Sequence, residues 1–280
     1  MTGYLFFSFF YFLSLRLPLN ACFAIATFLS LIKYYFSPRD RKAVIANLRY
    51  ILPGSEQRHI HAYAKEVFIN FGKYLVEFFR IDLLKKEDLN IKIKVLGREY
   101  IDQALKDGKG AIILSAHMGN WELGGVFMSL LGYPMISVAL PHRHGKVNSF
   151  FNQQREKRGA IVVPSSGLSI RKIYKALKNN KLVALVADRD FASGGKKMPF
   201  LGLEKIIPRG PAALSTRTGA PIIPGFVIRQ PDNTHILEFL KPINSNASEE
   251  DIITDYTKVI EEVIRKYPSQ WLMFREFWKE

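Results

Sequence analysis

The first 36 residues are almost continuously apolar. Residues 4–15 form one apolar run, Arg16 and Pro18 interrupt it, and residues 19–32 resume it. The two halves together exceed the roughly 20 residues that a membrane-spanning helix needs, although neither half alone reaches that length. The aromatic residues between Phe6 and Phe12 leave no polar face, which a soluble helix normally has. The pattern predicts a hydrophobic membrane anchor over residues 1–36, and it leaves open whether this segment spans the membrane or lies in its interface.

Residues 37–85 follow with a helical pattern. Apolar side chains recur at three- and four-residue steps from Val67 to Phe79, and Pro53-Gly54 divides the segment into two helices. Lys33, Arg39, Arg41 and Lys42 follow the apolar run that ends at residue 32. Because basic residues prefer the cytoplasmic side of a membrane, the rest of the chain is expected there, at a bacterial inner membrane.

Beyond residue 90 the pattern changes to short apolar runs separated by amphipathic stretches. Strands are predicted at residues 91–96, 111–116, 135–140, 161–163, 182–187, 222–228 and 236–240, and helices at residues 123–131, 146–158, 168–178 and 249–266. Strands that alternate with helices form crossover units. The chain is therefore predicted to be an α/β protein with a mostly parallel central sheet flanked by helices. One domain over residues 37–280 would combine the helical lead-in (37–85) with an α/β core (90–280). The aromatic carboxyl-terminal tail is expected to pack on this core or to touch the membrane.

The stretch from Ile112 to Glu122 is an apolar strand that ends at His117 and runs into a helix. Residues five apart on one helix lie about 140° from each other, so His117 and Glu122 meet only if His117 precedes the helix. A carboxylate on one imidazole nitrogen fixes the tautomer and leaves the other nitrogen to accept a hydroxyl proton. The residues thus allow a general base supported by Glu122, beside the plainer alternative of a structural histidine.

The same stretch resembles the H-x-x-x-x-(D/E) motif of the glycerolipid acyltransferase superfamily. Its form H-x-G-N-W-E, which includes Asn120, resembles the branch that contains the lipid A late (lauroyl and myristoyl) acyltransferases and the phosphatidylinositol mannoside acyltransferases. Further fragments resemble that branch in chain order: Asn47-Leu48 with Leu52-Pro53, Phe68-x-Asn70-x-Gly72 with Glu77, Asp188-Arg189-Asp190, Pro208-Arg209-Gly210-Pro211-Ala212, Thr218-Gly219-Ala220-Pro221 and Tyr267-Pro268-Ser269-Gln270-Trp271.

The resemblance implies a membrane-bound O-acyltransferase. His117 would deprotonate a hydroxyl of a lipid acceptor, Glu122 would orient and stabilise the imidazole, and the hydroxyl would attack an acyl thioester. The donor would be an acyl carrier protein or coenzyme A thioester, and no other cofactor and no metal is expected. The acceptor would be a lipid A-type glycolipid precursor, with another glycolipid or a lysophospholipid as the alternative.

The resemblance also implies residues that bind the oxyanion or the substrate. An arginine follows the motif in this branch, and Arg155 matches it best, with Arg143 and Arg158 as rivals. Asp188 and Asp190 match the D-x-D block, although capping the following turn is an equal alternative for both. Asn120 and Arg209 complete the candidates, and a solvated basic loop is the alternative for Arg209.

Composition adds a net charge of +15 and a single cysteine, Cys22, which excludes an intrachain disulfide and a cysteine zinc site. Residues 141–181 hold ten basic residues against one acidic residue, Glu156. This bias predicts an acidic partner, such as acyl carrier protein or anionic lipid head groups.

Two other classes of protein share some of these features. A metal-dependent lipid hydrolase would use His117 and Asp188 with His142 and His144, although the H-E-x-x-H spacing is missing. A membrane-tethered nucleic-acid binder would explain the charge, but no nucleic-acid-binding signature accompanies the basic run, so no nucleic-acid partner is expected.

Overall fold

Two amino-terminal helices, α1 (Thr2–Arg16) and α2 (Leu19–Phe36), form a hairpin that bends at Pro18. The computed structural model describes residues 2–133, 135–139, 145–157, 161–164, 169–190 and 194–279. The predicted pair of lead-in helices follows as α3 (Pro38–Ile51) and α4 (Gln57–Phe79), separated at Pro53-Gly54 as expected. Short 3₁₀ turns at Ile81–Leu83 and Lys86–Asp88 then lead to the α/β part of the chain.

The α/β part alternates strands and helices. The strands are β1 (Ile93–Leu96), β2 (Ala111–Ser115), β3 (Met135–Ala139), β4 (Ile161–Pro164), β5 (Leu182–Val186), β6 (Lys196–Phe200), β7 (Leu203–Ile207), β8 (Ile222–Arg229) and β9 (His235–Phe239). The helices are α5 (Leu89–Lys92), α6 (Arg98–Lys106), α7 (Trp121–Leu130), α8 (Gly145–Glu156), α9 (Ser169–Lys178), α10 (Gly210–Thr218) and α11 (Glu249–Lys266).

Seven strands form one sheet in the order β1-β9-β8-β2-β5-β3-β4. β8, β2, β5, β3 and β4 are parallel, whereas β9 runs antiparallel to β8 and pairs in parallel with β1. The predicted α/β fold with a mostly parallel sheet is confirmed. β6 and β7 form a separate antiparallel hairpin. The sequence pattern did not predict this hairpin, α6 or α10.

The sheet divides the core into two layers, because neighbouring residues of a strand point to opposite faces. Ile112 and Leu114 pack on the face that is covered by α9, α10 and α11. Ile113 and its neighbour Ala111 pack on the face that is covered by α6 and α7. Burial on both faces explains the unbroken apolar strands that the sequence shows.

The carboxyl-terminal tail packs into the core. Trp271 and Phe277 are buried, and 3₁₀ turns at Pro268–Gln270 and Phe277–Lys279 bracket this segment. Asn47 of α3 fixes the tail by donating hydrogen bonds to the carbonyls of Met273 and Arg275. Of the two predicted roles of the tail, packing on the core is therefore the one that the structure shows.

Candidate active site

His117 lies in a tight turn between β2 and α7. The turn is held by the carboxyl-terminal segment, since the backbone N–H of Leu272 donates to the carbonyl of His117 (2.9 Å) and that of Gly119 donates to the carbonyl of Gln270 (2.8 Å). Gly119 has a φ of +56°, and a Cβ there would lie 1.8 Å from the carbonyl oxygen of Val227. Only glycine fits this position, which explains the glycine two residues after the histidine.

The imidazole of His117 is bound to Asp188. In the parallel pair of β2 and β5, Ser115 is opposite Val186, and both His117 and Asp188 follow two residues later. The His117 Nδ1 lies 2.7 Å from Asp188 Oδ1, and the other carboxylate oxygen accepts from the His117 backbone N–H (3.1 Å) and from Trp271 Nε1 (2.9 Å). Asp188 is completely buried, whereas the side chain of His117 is 26% exposed.

The carboxylate of Asp188 sets the tautomer of the histidine. Burial alone would raise the pKa of Asp188, but the charge of His117 and the hydrogen bonds from His117 and Trp271 outweigh burial and lower the pKa. An ionised carboxylate only accepts hydrogen bonds, so the neutral imidazole carries its proton on Nδ1 and keeps Nε2 as the basic nitrogen. In the structure, the carboxylate that contacts the imidazole is that of Asp188 and not that of Glu122, to which the sequence analysis assigned this position, because β5 lies beside the end of β2.

Glu122 instead binds Arg155. The carboxylate lies in the first turn of α7 and accepts two hydrogen bonds from the guanidinium on α8, from Nε at 2.8 Å and from Nη2 at 2.5 Å. Burial alone would lower the pKa of Arg155, but the charge of Glu122 and the hydrogen bonds to it outweigh burial and raise that pKa. Two residues that the sequence proposed for separate roles thus form one bidentate ion pair, and both line the same cavity as His117.

Asn120 faces away from this cavity. Its side-chain oxygen caps α7 by accepting from the backbone N–H of Leu123 (3.2 Å), and its amide nitrogen donates to Glu77 Oε2 (2.6 Å). The expectation that Asn120 binds substrate or the oxyanion does not match this placement, because both polar ends of the side chain are used inside the protein. The backbone N–H groups of Gly119, Asn120 and Leu123 also donate to protein acceptors rather than to the cavity.

The remaining predicted residues differ in position. Asp190 lines the cavity, and its carboxylate accepts a hydrogen bond from the backbone N–H of Gly195 (2.8 Å). Arg209 also lines the cavity, and its guanidinium lies 3.1 Å from Glu249. Arg143 and Arg158, the rivals of Arg155, lie outside the described residues. So do His142 and His144, the metal ligands that a hydrolase would use.

A cavity of about 1650 Å³ opens at the carboxyl edge of the parallel strands, beside His117. Such an edge is where open α/β sheets bind their ligands. The cavity is lined from both faces of the sheet. The α7-side lining includes Gly125, Met128, Met135, Ala184, Gly225, Val227, Leu237 and Phe239. The α9-side lining includes Val138, Ile173, Tyr174, Leu185, Pro211 and Leu214.

The cavity has the size and the mixed apolar and basic lining that suit an amphiphilic ligand. Its volume exceeds the roughly 300–1000 Å³ of an ordinary small-molecule pocket. Among the described lining residues, arginines outnumber acidic residues six to two, with Glu122 and Asp190 opposed by Arg155, Arg171, Arg189, Arg209, Arg217 and Arg275. Long hydrocarbon chains and an anionic head group both find complementary surface here. The described residues hold no group of three or more His, Cys, Asp or Glu side chains that could bind a metal ion.

The fold and this site define an α/β protein with a histidine–aspartate pair beside a large, mostly apolar cavity. Comparison with known proteins places it more narrowly. The family model described as bacterial lipid A biosynthesis acyltransferase matches residues 2–280, and the chain belongs to this family. The resemblance that the motifs indicated is thereby confirmed.

Curated relatives carry two kinds of name. A phosphatidylinositol mannoside acyltransferase of Mycobacterium tuberculosis (strain ATCC 25618 / H37Rv) is 30% identical over 160 residues, which is 55% of this chain and 51% of that protein. The chain thus matches about half the length of this relative. A protein of the same name from Mycolicibacterium smegmatis is 26% identical over 212 residues, 75% of this chain and 70% of that protein. A lipid A biosynthesis palmitoleoyltransferase of Escherichia coli (strain K12) is 24% identical over 248 residues, 87% of this chain and 80% of that protein.

Proposed function

We propose that this protein is an O-acyltransferase that moves a fatty acyl group from a thioester onto a hydroxyl of a lipid acceptor. The observation that carries the proposal is the pairing of His117 with the buried Asp188 at the edge of a cavity with hydrocarbon-like walls. Membership of the lipid A biosynthesis acyltransferase family supports the reaction class.

The reaction follows from the tautomer of His117. Nε2 removes the proton of the acceptor hydroxyl while the hydroxyl oxygen attacks the thioester carbonyl carbon. The tetrahedral intermediate collapses by breaking the carbon–sulfur bond, and the proton on Nε2 passes to the leaving sulfur, which yields an ester and a free thiol. Asp188 stabilises the imidazolium that forms between these two steps, as the buried aspartate does in hydrolase triads.

The ion pair of Glu122 and Arg155 forms a rigid part of the cavity surface beside His117 and Asp188. Each side chain is about one tenth exposed, and the bidentate geometry leaves neither group free to rotate. The guanidinium holds positive charge at the cavity surface without moving, which suits a group that meets developing negative charge on the substrate.

The two faces of the cavity suit two substrates. The α7-side lining is apolar and runs between the helix and the sheet, which fits the donor acyl chain. The α9-side lining combines apolar side chains with Arg171, Arg209 and Arg217, which fits a lipid acceptor with phosphate groups. We therefore take a lipid A-type glycolipid precursor as the acceptor. The relatives named for phosphatidylinositol mannoside make that type of glycolipid the main alternative.

The donor is an acyl carrier protein or coenzyme A thioester, and the reaction needs no further cofactor. The exposed lysines of α9 favour the carrier protein, because carrier proteins are acidic partners for a basic surface. The site of action is the cytoplasmic face of a bacterial inner membrane. Among the described residues, one helix, Leu19–Phe36, is long and apolar enough to cross a membrane by length and composition.

The test is transfer by the purified full-length chain, with product lipids identified by mass spectrometry. Acyl carrier protein and coenzyme A thioesters are each supplied with a lipid A precursor or a phosphatidylinositol mannoside. His117→Ala should abolish transfer, and Asp188→Asn should lower kcat by about 100- to 10,000-fold, the usual worth of general base catalysis. Trp271→Phe, which removes one hydrogen bond from the same carboxylate, should cost much less.

The outcome against the proposal is equally definite. A folded His117→Ala variant with near-normal transfer would remove the base from the mechanism. Release of free fatty acid without any acyl-lipid, lost on chelation and restored by zinc, would show the metal-dependent lipid hydrolase instead. A larger loss of kcat in Glu122→Gln than in Asp188→Asn would show that Glu122, and not Asp188, orients the imidazole.

A further inference from the structure

The amino-terminal hairpin is part of the folded domain along one side. The buried residues of α2 recur at three- and four-residue steps: Cys22, Phe23, Ala26, Ser30 and Tyr34. This stripe packs on α4, where a Cβ at Gly72 would lie 2.3 Å from Ser30 Oγ and 3.1 Å from the Ala26 carbonyl oxygen. Small residues thus let the two helix backbones approach closely.

Contacts extend along the full length of α2. Near its amino end the Phe23 ring contacts two cations, with its centroid 5.5 Å from Lys73 Nζ and 5.7 Å from the Arg229 guanidinium. Near its carboxyl end the Tyr34 hydroxyl lies 3.0 Å from His61 Nδ1. The helix therefore lies antiparallel along α4 from one end to the other.

α1 and the bend are attached to the same domain. The Tyr11 hydroxyl donates to Asp82 (2.7 Å), and the Phe7 ring meets the Phe151 ring of α8 edge to face at 5.6 Å. Arg80 clamps the bend, since its Nη1 donates to the carbonyl of Leu17 (2.8 Å) and to that of Ser14. Both ends of the hairpin and its bend thus contact one body.

The opposite side of the hairpin is apolar and uncovered. Large exposed apolar side chains there are Phe9 and Phe12 of α1, and Phe28, Leu29, Ile32, Tyr35 and Phe36 of α2, with Phe28 64% and Phe36 83% exposed. We call this surface the outer face. A helix that is apolar all round is normally covered all round, and the protein covers only one side of it.

We propose that the α1–α2 hairpin lies in the plane of the membrane surface, embedded in one leaflet by its outer face, and that α2 does not span the bilayer. Phenylalanine and tyrosine on the outer face, with Arg16 at the bend and Lys33 near the other end, fit the acyl chains and the anionic head groups of one leaflet.

The packing on α4 argues against a spanning α2. A helix of 18 residues is about 27 Å long, close to the roughly 30 Å of a bilayer core, so α2 would have to stand nearly upright to cross. Because α4 lies alongside, its His61, Lys65 and Lys73 would then enter the hydrocarbon, where charged side chains are costly. Lying flat avoids this cost.

Cysteine labelling of the full-length chain separates the two arrangements. In a Cys22→Ser background, single cysteines replace the exposed residues Asn20, at the amino end of α2, and Arg39, just beyond its carboxyl end, and Lys178→Cys on α9 reports the side of the catalytic domain. The protein is reconstituted into sealed vesicles and treated with a membrane-impermeant maleimide. The proposal predicts that both ends react from the side on which Lys178→Cys reacts. Labelling of Asn20→Cys only after the vesicles are opened would overturn it.

Flotation with vesicles of anionic phospholipid tests the occupant of the outer face. Phe28→Glu and Ile32→Glu should each lower the bound fraction about tenfold, the scale of burying one large apolar side chain. Ile206→Glu, at a similarly exposed apolar position on β7, is the matched control and should bind normally. Unchanged flotation of the outer-face variants would overturn the proposal. Loss of a detergent-free dimer in place of lost flotation would show instead that a second copy covers this face. Neither readout needs turnover, so the hairpin and the acyltransferase proposal fail or stand separately.

Discussion

Two successive glycines, Gly124 and Gly125, bring α7 close to the sheet where the cavity runs beneath it. Trp121, Gly125 and Met128 occupy one face of the helix, so the glycine leaves a gap between two large side chains. A Cβ at Gly125 would lie 3.2 Å from Met135 Cε and 3.6 Å from Ser137 Oγ. Since the end of a methionine side chain is flexible, an added methyl group should displace Met135 into the cavity rather than move the helix.

This geometry predicts an effect on donor chain length. Gly125→Ala should lower kcat/KM for long acyl donors relative to short ones, by about 10- to 200-fold, the range for a methylene-sized change in an apolar pocket. Met135→Ala should shift preference towards longer donors, and the double variant should return towards the wild type because the added Cβ then meets no methyl group.

The measurement is kcat/KM across a series of thioesters that differ only in chain length. Met198→Ala on β6, outside the cavity lining, is the control and should leave the profile unchanged. If Gly125→Ala does not alter the dependence of kcat/KM on chain length, the acyl chain does not bind between α7 and the sheet.

At the scale of elements, a buried charged cluster joins α4, α7, β8 and β9. Glu77 accepts hydrogen bonds from both Nη atoms of Arg229, one of them at 2.7 Å, and from Asn120 Nδ2, while His235 Nε2 lies 3.4 Å away. Lys73, whose pKa is lowered by burial and by Arg229, lies one turn before Glu77 on α4. The cluster ties the cap of α7, and with it the turn of His117, to the lead-in helices.

The pKa of Glu77 makes this cluster pH-dependent. Burial alone would raise the pKa of Glu77, but the charges of His235 and Arg229 and the hydrogen bonds from Arg229 lower it to about 2. A depressed carboxyl pKa contributes stability that is present at neutral pH and is lost as the pH falls from about 4.5 towards 2, by roughly 3 kcal/mol in total.

Glu77→Gln should therefore lower the free energy of unfolding at pH 7 by several kcal/mol, because Arg229 is left buried without its partner. The same variant should lose part of the decline in stability between pH 4.5 and 2. Chemical denaturation at a series of pH values measures both effects. Glu66→Gln on the exposed side of α4 is the matched control, and equal pH profiles for the two variants would contradict the prediction.

At the scale of the whole molecule, the net charge of +15 is distributed unevenly. α9 carries Lys172, Lys175 and Lys178 as exposed side chains, and Arg171 of the same helix lines the cavity. The predicted basic surface therefore lies beside the site, at least in the described part of residues 141–181. A partner that docks there is close enough to deliver a substrate.

Replacing the three α9 lysines by glutamate should lower kcat/KM for a carrier-protein donor, and added salt should diminish the difference because charge steering decays over about 10 Å at 0.1 M. A coenzyme A donor should be affected less. The same change at Lys94, Lys106 and Lys109, which are exposed on β1 and near α6, is the control. Equal losses for both donors on bilayers, with none in detergent, would assign α9 to the membrane surface instead.

Much of this molecule follows from local pattern. The period of the apolar residues predicted the strands of the sheet and most of the helices, though not α6 and α10, because each element must bury one face or both. The helix Glu249–Lys266 has the predicted bounds, and β2 and β5 differ from the predicted strands by one residue each. The motif around His117 and the order of the other fragments were sufficient to indicate the family.

The tertiary structure decided which of these residues meet. His117 and Asp188 are separated by about 70 positions, and they touch because β2 and β5 are neighbours in register, which no local pattern encodes. The packing of helices likewise pairs Glu122 of α7 with Arg155 of α8, and the cap residue Asn120 with Glu77 of α4. Apolar composition in the first 36 residues showed that they avoid water, but only the packing of α2 on α4 distinguishes a side that meets protein from a side that faces outward. Composition is a property of the residues themselves, whereas partners depend on long-range packing, and so the chemistry of the site was visible in the sequence while its pairing was not.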